Sequence, residues 1–207
     1  MTVKPDTETL PDAKNWLDRL DDSNALEVML QDHGHAIDSV RNSMTQLETA
    51  VIEIVDRLRA DDTARIIYAG AGASIRIAVQ DGVELLPTFD WPRERVAYFV
   101  AGGEKALIES VEGAEDDEHA ARLMVGEHPI CQQDVVLALA ASGRTSFTCT
   151  ILAESKKVGA LAIGIANNLD VPLLTNADIA IPLLTGGEAL AGSTRLKAAT
   201  AQKICLN

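Results

Sequence analysis

Apolar residues between positions 25 and 58 recur mostly in steps of three and four, as in Leu26, Met29 and Leu30. A helix turns once every 3.6 residues, so this spacing places the apolar side chains on one face. The pattern predicts an amphipathic N-terminal helical arm, built from either two helices or one long helix.

Beyond residue 60, short β-branched or aliphatic runs alternate with segments of helical spacing, which is typical of βα units around a parallel sheet. The predicted strands cover residues 65–69, 96–100, 135–140, 160–165 and 179–183, and the predicted helices cover residues 75–86, 104–112, 117–126, 147–157 and 194–206. We therefore expect an α/β fold with a doubly wound, mostly parallel five-stranded sheet flanked by helices. The domain division follows as a helical segment over residues 1–60 and a sheet-bearing domain over residues 61–207.

Length and charge narrow the functions that this fold could have. The 207 residues suffice for one α/β domain with a helical arm, and 18 basic against 31 acidic residues give a net charge of −13. Such a surface repels nucleic acid and anionic lipid, so we expect neither as a partner. A small phosphorylated metabolite stays possible, because backbone N–H groups bind anions whatever the global charge.

The cysteines and histidines indicate neither a disulfide framework nor a metal site. The three cysteines, Cys131, Cys149 and Cys205, are widely spaced and form no Cys-x-x-Cys pair, which favours a reducing compartment and hence the cytoplasm. His33 and His35 are two positions apart and do not share a helix face. The first 25 residues contain no apolar run of signal-peptide length, and no run is long enough to span a membrane. We expect no metal and no cofactor.

The turn after the first predicted strand is rich in small residues. Gly70 and Gly72 allow close approach of a ligand, Ser74 supplies a hydroxyl, and the following helix starts with N–H groups that favour an anion. A dinucleotide fingerprint would need glycine in place of Ile75 and an acidic residue at the end of the second strand. NAD binding is therefore disfavoured, and a tight turn without a ligand is the alternative.

A second turn with the same chemistry follows the predicted strand at 135–140. It contains Ser142, Gly143, Arg144 and Thr145 and leads into a helix, so an ordinary helix cap is its alternative interpretation. Parallel strands end at one edge of the sheet, where open α/β proteins bind ligands. The two turns together predict a phosphate site.

Two acidic positions are candidates for proton transfer. Glu84 stands among Val83, Leu85 and Leu86, and apolar surroundings would disfavour its charged form, which suits a general acid. Glu115 belongs to a run of four acids within six residues, for which a solvated surface is the alternative. The pattern does not choose Glu115 over Glu112 or Asp116.

Seven ordered motifs from about residue 65 to residue 207 resemble the N-acetylmuramic acid 6-phosphate etherases, members of the sugar isomerase (SIS) superfamily of phosphosugar-binding proteins. The motifs are Tyr68-Ala-Gly-Ala-Gly-Ala-Ser, Leu86-Pro-Thr-Phe, Ala101-Gly-Gly-Glu, Val111-Glu-Gly-Ala-Glu-Asp, Ala140-Ala-Ser-Gly-Arg-Thr, Ala177-Asp-Ile-Ala-Ile and Gly192-Ser-Thr-Arg-Leu-Lys. The resemblance implies a cytoplasmic homodimer that cleaves the lactyl ether of this phosphorylated amino sugar in peptidoglycan recycling. The products would be N-acetylglucosamine 6-phosphate and D-lactate, formed by elimination and then hydration without a cofactor.

The same resemblance implies roles for particular residues. Glu84 would donate a proton to the departing lactate, and Glu115 would be the second catalytic residue. The phosphosugar would be held by residues of three segments, namely Ser74, Ser142, Thr145, Ser193 and Thr194, with Gly72 and Gly143 permitting close approach.

The sequence also departs from the family pattern. Ala73 and Ile75 replace a hydroxyl and a small residue, Leu10 and Pro11 replace Arg and Asn, and the later C-terminal helical segment of the family is absent. Three alternatives therefore stay open on this fold: a noncatalytic phosphosugar-binding regulator, an aldose–ketose phosphosugar isomerase and a structural oligomerising domain.

Overall fold

The computed structural model describes residues 6–13 and 16–207, and its centre is one parallel sheet. The strands are β1 (Ile66–Gly70), β2 (Val96–Val100), β3 (Val135–Leu139), β4 (Leu161–Ala166) and β5 (Ile179–Pro182), in the order β2-β1-β3-β4-β5. All neighbouring strands run parallel. The predicted doubly wound five-stranded sheet is confirmed.

The strand order changes direction between β1 and β3. The chain moves outward from β1 to β2, then crosses back to β3 and continues through β4 to β5 on the other side. The loops that follow β1 and β3 therefore diverge and leave a crevice at the carboxyl edge of the sheet. These are the two turns in which the sequence predicts a phosphate site.

Helices cover both faces of the sheet. They are α1 (Asp22–Arg41), α2 (Met44–Ala60), α3 (Gly72–Val83), α4 (Leu85–Phe89), α5 (Glu118–Glu127), α6 (Ser146–Lys157), α7 (Pro172–Thr175) and α8 (Lys197–Leu206). The N-terminal pattern thus forms two helices, and the Ser43 hydroxyl between them donates to the Pro182 carbonyl of β5 at 2.6 Å. None of the described helices combines the length and apolarity needed to cross a membrane.

Alternate side chains of the strands pack into two separate hydrophobic cores, one on each face of the sheet. Ile67 and Ala69 of β1 point into the layer that contains Phe147 and Ile151 of α6. Tyr68 of β1 points into the opposite layer, which contains α2, α3 and α8. Because every residue of β3 and β4 is buried, their sequences are continuous apolar runs without alternation.

The predicted helix at 104–112 is wrong. Only residues Glu104–Leu107 form a helical turn, of the 3₁₀ type. The Arg76 guanidinium donates to the carbonyls of Ala106 and Glu109 at 2.8 Å, so these groups are satisfied without a continuing helix. An arginine 30 residues earlier in the sequence therefore determines the backbone here.

Two other predicted helices have different boundaries. The helix predicted at 75–86 begins at Gly72 and is interrupted at Glu84, where α4 follows. The helix predicted at 194–206 begins only at Lys197. The buried Glu188 carboxylate accepts the N–H groups of Lys197 and Ala198 at 3.1 and 3.0 Å, and these bonds fix the start of α8.

Candidate active site

A cleft of about 490 Å³ opens where the loops after β1 and β3 diverge. Its volume lies within the range typical of small-molecule sites. Six of the residues singled out in the sequence or by the resemblance line it, namely Gly72, Ser74, Glu115, Ser142, Thr145 and Thr194. The fold thus brings together residues that are far apart in the sequence. Gly72 and Thr194 are separated by 122 positions.

The start of α3 forms one wall of this cleft. Ala71 is the N-cap residue and has no side-chain oxygen to accept an N–H of the first turn. Gly72 has a φ of +55°, a backbone conformation that strongly favours glycine. The N–H groups at this helix start, which no side chain caps within the described part of the chain, favour a bound anion, and Ser74 lines the cleft beside them.

The start of α6 is built in the same way. Thr145 is its N-cap residue, yet within the described part of the chain its hydroxyl caps no N–H of α6. The Ser142 hydroxyl accepts the backbone N–H of Arg144 at 3.2 Å. An ordinary N-cap therefore does not account for Thr145, and two helix starts without side-chain caps face one cleft.

Cationic side chains do not contribute to this lining among the described residues. Arg144 is exposed and lies outside the lining, as do Gly70, Gly143 and Ser193. The two glycines are needed for packing: a Cβ on Gly70 would lie 2.8 Å from the Leu139 carbonyl oxygen, and one on Gly143 would lie 2.2 Å from Val171. An anion here would therefore be held by hydroxyls and backbone N–H groups.

Glu115 lies at the boundary between the main cleft and a second cavity of about 350 Å³. Of the three acids among which the sequence did not choose, Glu112 lines only the second cavity and Asp116 lines neither. The short 3₁₀ turn that carries Glu115 follows Gly113, whose φ is +71°. The three bonds from Arg76 to the preceding loop tie this region to the second turn of α3.

Glu84 lies elsewhere in the single chain. It is exposed at the junction of α3 and α4, at the end of α3 that is remote from Gly72. A 12-residue helix is roughly 18 Å long. The expected burial among apolar neighbours is wrong for the isolated chain, because Val83 is 51% exposed and points to solvent beside it.

The two substitutions near the first glycines have different consequences. Ala73 lines the cleft, so a methyl group stands where the resembled family has a hydroxyl. Ile75 is fully buried in the core between α3 and the sheet and does not narrow the cleft. The change at position 73 therefore alters the cleft surface, whereas the change at position 75 alters packing.

Glu8 and Leu10 line the cleft but are not among the site residues that the sequence predicts; Leu10 is one of the departures from the family pattern. They precede α1 by more than ten residues, so the periodic pattern of the N-terminal helices does not include them. The neighbouring Thr7 is 1% exposed, which is unusual for a polar residue so close to a terminus. The departures at Leu10 and Pro11 are the signal in the sequence that points to this segment.

Buried charges hold the loop that contains Thr194. Burial raises the pKa of the Glu188 carboxyl, against the opposing effect of the two N–H groups it accepts from α8. The Lys197 ammonium group, 4% exposed, donates to Asp32 of α1 at 2.5 Å. Asp32 also accepts the N–H of Ala189 at 3.0 Å, so α1, α8 and this loop are joined by one polar network.

Comparisons with known proteins show which proteins this chain is similar to. Residues 46–156 match the family of the glucokinase regulatory protein N-terminal SIS domain. The chain is 43% identical over 191 residues to an N-acetylmuramic acid 6-phosphate etherase of Deinococcus radiodurans, covering 92% of this chain and 62% of that protein. It is 42% identical over 207 residues to the etherase of Shouchella clausii, covering 100% of this chain and 69% of the relative. The chain thus spans about two thirds of the length of these relatives.

Solved structures show the same fold at much lower identity. A phosphoheptose isomerase from Francisella tularensis superposes with a TM-score of 0.62 at 16% identity, covering 89% of this chain and 95% of that one. The Vibrio vulnificus NanR protein complexed with ManNAc-6P superposes with a TM-score of 0.57 at 15% identity, covering 89% of this chain and 63% of that one.

Proposed function

Since the chain belongs to the N-acetylmuramic acid 6-phosphate etherase family of SIS-domain proteins, we propose that it cleaves the D-lactyl ether of N-acetylmuramic acid 6-phosphate. The products are N-acetylglucosamine 6-phosphate and D-lactate, as expected of a carbon–oxygen lyase in peptidoglycan recycling. The observation that carries the proposal is the convergence of Glu115 with Ser74, Ser142 and Thr145 in one cleft.

The phosphate binds between the starts of α3 and α6. Both helices present N–H groups without side-chain caps, and the positive ends of their dipoles favour a dianion. The hydroxyls of Ser74, Ser142 and Thr145 supply further donors, and Thr194 closes the lining from the loop before α8. This arrangement fixes one end of the sugar and leaves its ring near Glu115.

The reaction needs proton transfer at two positions of the sugar. In the open-chain form, the C1 aldehyde acidifies the C2 proton, and its removal with loss of lactate from C3 leaves an unsaturated aldehyde. Water then adds at C3, and a proton returns to C2, so the net reaction consumes one water. One carboxylate and one carboxylic acid suffice for these steps.

We further propose a homodimer in which Glu84 of one subunit serves the cleft of the other. Exposed apolar residues on α1 and beside Glu84 support association, since Leu30 is 71% exposed and Phe89 is 72% exposed. Glu115 acts in its own cleft, and Glu84 of the second subunit protonates the departing lactate. The three free thiols support a reducing, cytoplasmic setting.

Release of D-lactate from N-acetylmuramic acid 6-phosphate tests the activity. Replacing Glu84 or Glu115 by Gln should reduce the rate by about 10²-fold or more, because each carboxyl transfers a proton in the transition state. The matched control is Glu48→Gln on the exposed surface of α2, which should retain full activity. Equal rates for wild type and the double variant would exclude the proposal.

Mixed dimers test the sharing of residues between subunits. Equal amounts of Glu84→Gln and Glu115→Gln chains, unfolded and refolded together, should recover about a quarter of wild-type activity, because half of the dimers then contain one intact composite site. Recovery of no activity would place both carboxyls in the same subunit's site.

A second candidate is a phosphosugar-binding regulator without turnover. The position of Glu84 favours this candidate. Among the described residues of the single chain, the carboxyls that line the cleft are those of Glu115 and Glu8, and Glu84 is not one of them. Calorimetric binding of N-acetylglucosamine 6-phosphate without release of lactate from the substrate would favour this candidate.

A further inference from the structure

The N-terminal segment, residues 6–10, is attached to the loop after β3 through a buried amide. Asn168 accepts the backbone N–H of Thr7 at 3.2 Å and donates to the Thr7 hydroxyl at 3.1 Å. The same amide nitrogen donates to the Ala141 carbonyl at 2.9 Å. Thr7 is 1% exposed and Asn168 is 3% exposed, so these bonds are protected from water. The segment is thereby fixed beside Ser142.

A second contact fixes the segment from the other side. A Cβ on Gly187 would lie only 2.5 Å from the Thr9 carbonyl oxygen, closer than side-chain carbons approach backbone atoms. Glycine at 187 is thus what allows the segment to pass over the loop after β5. Gly187 precedes Glu188, the residue that fixes the start of α8.

These two attachments make the segment part of the cleft. Glu8 and Leu10 line it together with Ser74, Ser142 and Glu115. The cleft therefore has a wall from outside the sheet-bearing domain, and this wall carries a carboxylate and an apolar side chain.

The chemistry of Glu8 limits which part of a ligand it can face. A carboxylate repels a phosphate and a lactyl carboxylate, and it accepts hydrogen bonds from hydroxyl and amide N–H groups. The proposed substrate carries such neutral donors on its sugar body, between its two anionic groups. The starts of α3 and α6 supply the donors that an anion needs, and the segment supplies an acceptor.

We infer that Glu8 is a substrate-binding residue, which accepts hydrogen bonds from the hydroxyl or amide N–H groups of the sugar body, and that Thr7, Glu8 and Leu10 form a wall of the substrate site. This inference rests on the proposed function for the identity of the sugar. It assigns Glu8 to recognition of the neutral part of the ligand and assigns no part of proton transfer to it.

The test measures the dissociation constants of N-acetylglucosamine 6-phosphate and of inorganic phosphate by calorimetry. Glu8→Gln should weaken binding of the phosphosugar by about 10- to 100-fold, the range for a hydrogen bond to a charged group. Its affinity for inorganic phosphate should stay unchanged, because phosphate does not reach the segment. Asp6→Asn is the matched control, since Asp6 belongs to the same segment and does not line the cleft.

A second variant displaces the segment without changing Glu8. Gly187→Ala forces Thr9 away and should weaken phosphosugar binding alone, whereas Gly126→Ala, where a Cβ meets no atom within 4 Å, is the control. The double variant Glu8→Gln with Gly187→Ala should lose little more than either single variant, because both remove the same contact.

The outcomes separate this inference from the proposed function. Wild-type phosphosugar affinity in Glu8→Gln, or equal losses for phosphosugar and phosphate, would overturn the inference even if wild type releases lactate. If wild type binds the phosphosugar but releases no lactate from the substrate, the etherase activity is rejected. The role of Glu8 is then still decided by the calorimetric titrations. A wild-type protein that binds no phosphosugar would overturn both.

Discussion

Individual residues of the cleft present hydroxyls and backbone N–H groups, the donors that the phosphate of the proposed substrate needs. Ser74 is 8% exposed at the first turn of α3, so its hydroxyl is nearly shielded from bulk water. A hydrogen bond to a charged group is stronger in such surroundings than at the surface. Each hydroxyl should therefore contribute measurably to affinity.

Replacing Ser74 by Ala should raise the dissociation constant of N-acetylglucosamine 6-phosphate by about 10-fold, which corresponds to one charged hydrogen bond. The value of kcat should change little, because the phosphate is bound equally in the ground and transition states. Steady-state kinetics and calorimetry measure the two effects. Ser23→Ala on the exposed side of α1 is the control, and a loss in kcat with unchanged affinity would contradict this role.

The loop between β2 and α5 depends on one side chain of another element. Arg76 of α3 donates to Ala106 at 3.1 and 2.8 Å and to Glu109 at 2.8 Å. A planar guanidinium spans two carbonyls in a way that a lysine ammonium group does not. Arg76 is accordingly a positioning residue for the segment that leads to Glu115.

Arg76→Met should lower kcat by about 10²-fold, since small displacements of a reacting group cost that much in rate. Affinity for inorganic phosphate should be retained, because the starts of α3 and α6 do not depend on Arg76. The kcat of Arg76→Lys should lie between those of wild type and Arg76→Met. The control Arg59→Met, at the end of α2, should have the kcat of wild type. Equal loss of phosphate binding and of kcat would show a general structural effect instead.

The same loop marks how far sequence patterns predict elements. The buried strands and the two turns after β1 and β3 were predicted because their signals are local runs of residues. The helix at 104–112 was wrong because its carbonyls are satisfied by Arg76, a partner 30 positions away. Burial of Glu84 was expected from its neighbours in sequence, but the side chain lies at a helix end exposed to solvent in the single chain. The roles of Glu84 and Glu115 stay predictions.

For the molecule as a whole, the two helical layers each contain one shielded thiol. Cys149 of α6 packs against one core and Cys205 of α8 against the other. Burial raises the pKa of Cys149 to about 11 and that of Cys205 to about 12. The thiolate is the reactive form, and burial disfavours it, so both groups stay protonated through the neutral range.

Titration with a disulfide reagent at about pH 8 should therefore detect one fast thiol per chain, the exposed Cys131, and three thiols after denaturation. Cys131→Ser should abolish the fast reaction and leave two thiols that react only after denaturation. Raising the pH to about 9 should leave Cys149 and Cys205 unreactive, since that pH is still below both values. Two or more fast thiols in the folded protein would contradict the packing of these layers.

Among the residues that the structure describes, no side chain caps the starts of α3 and α6, and this has a practical consequence. A ligand that binds those N–H groups in the folded state alone must raise the melting temperature. Thermal-shift screening of phosphorylated metabolites would then rank candidate ligands by affinity, independently of any assay for product.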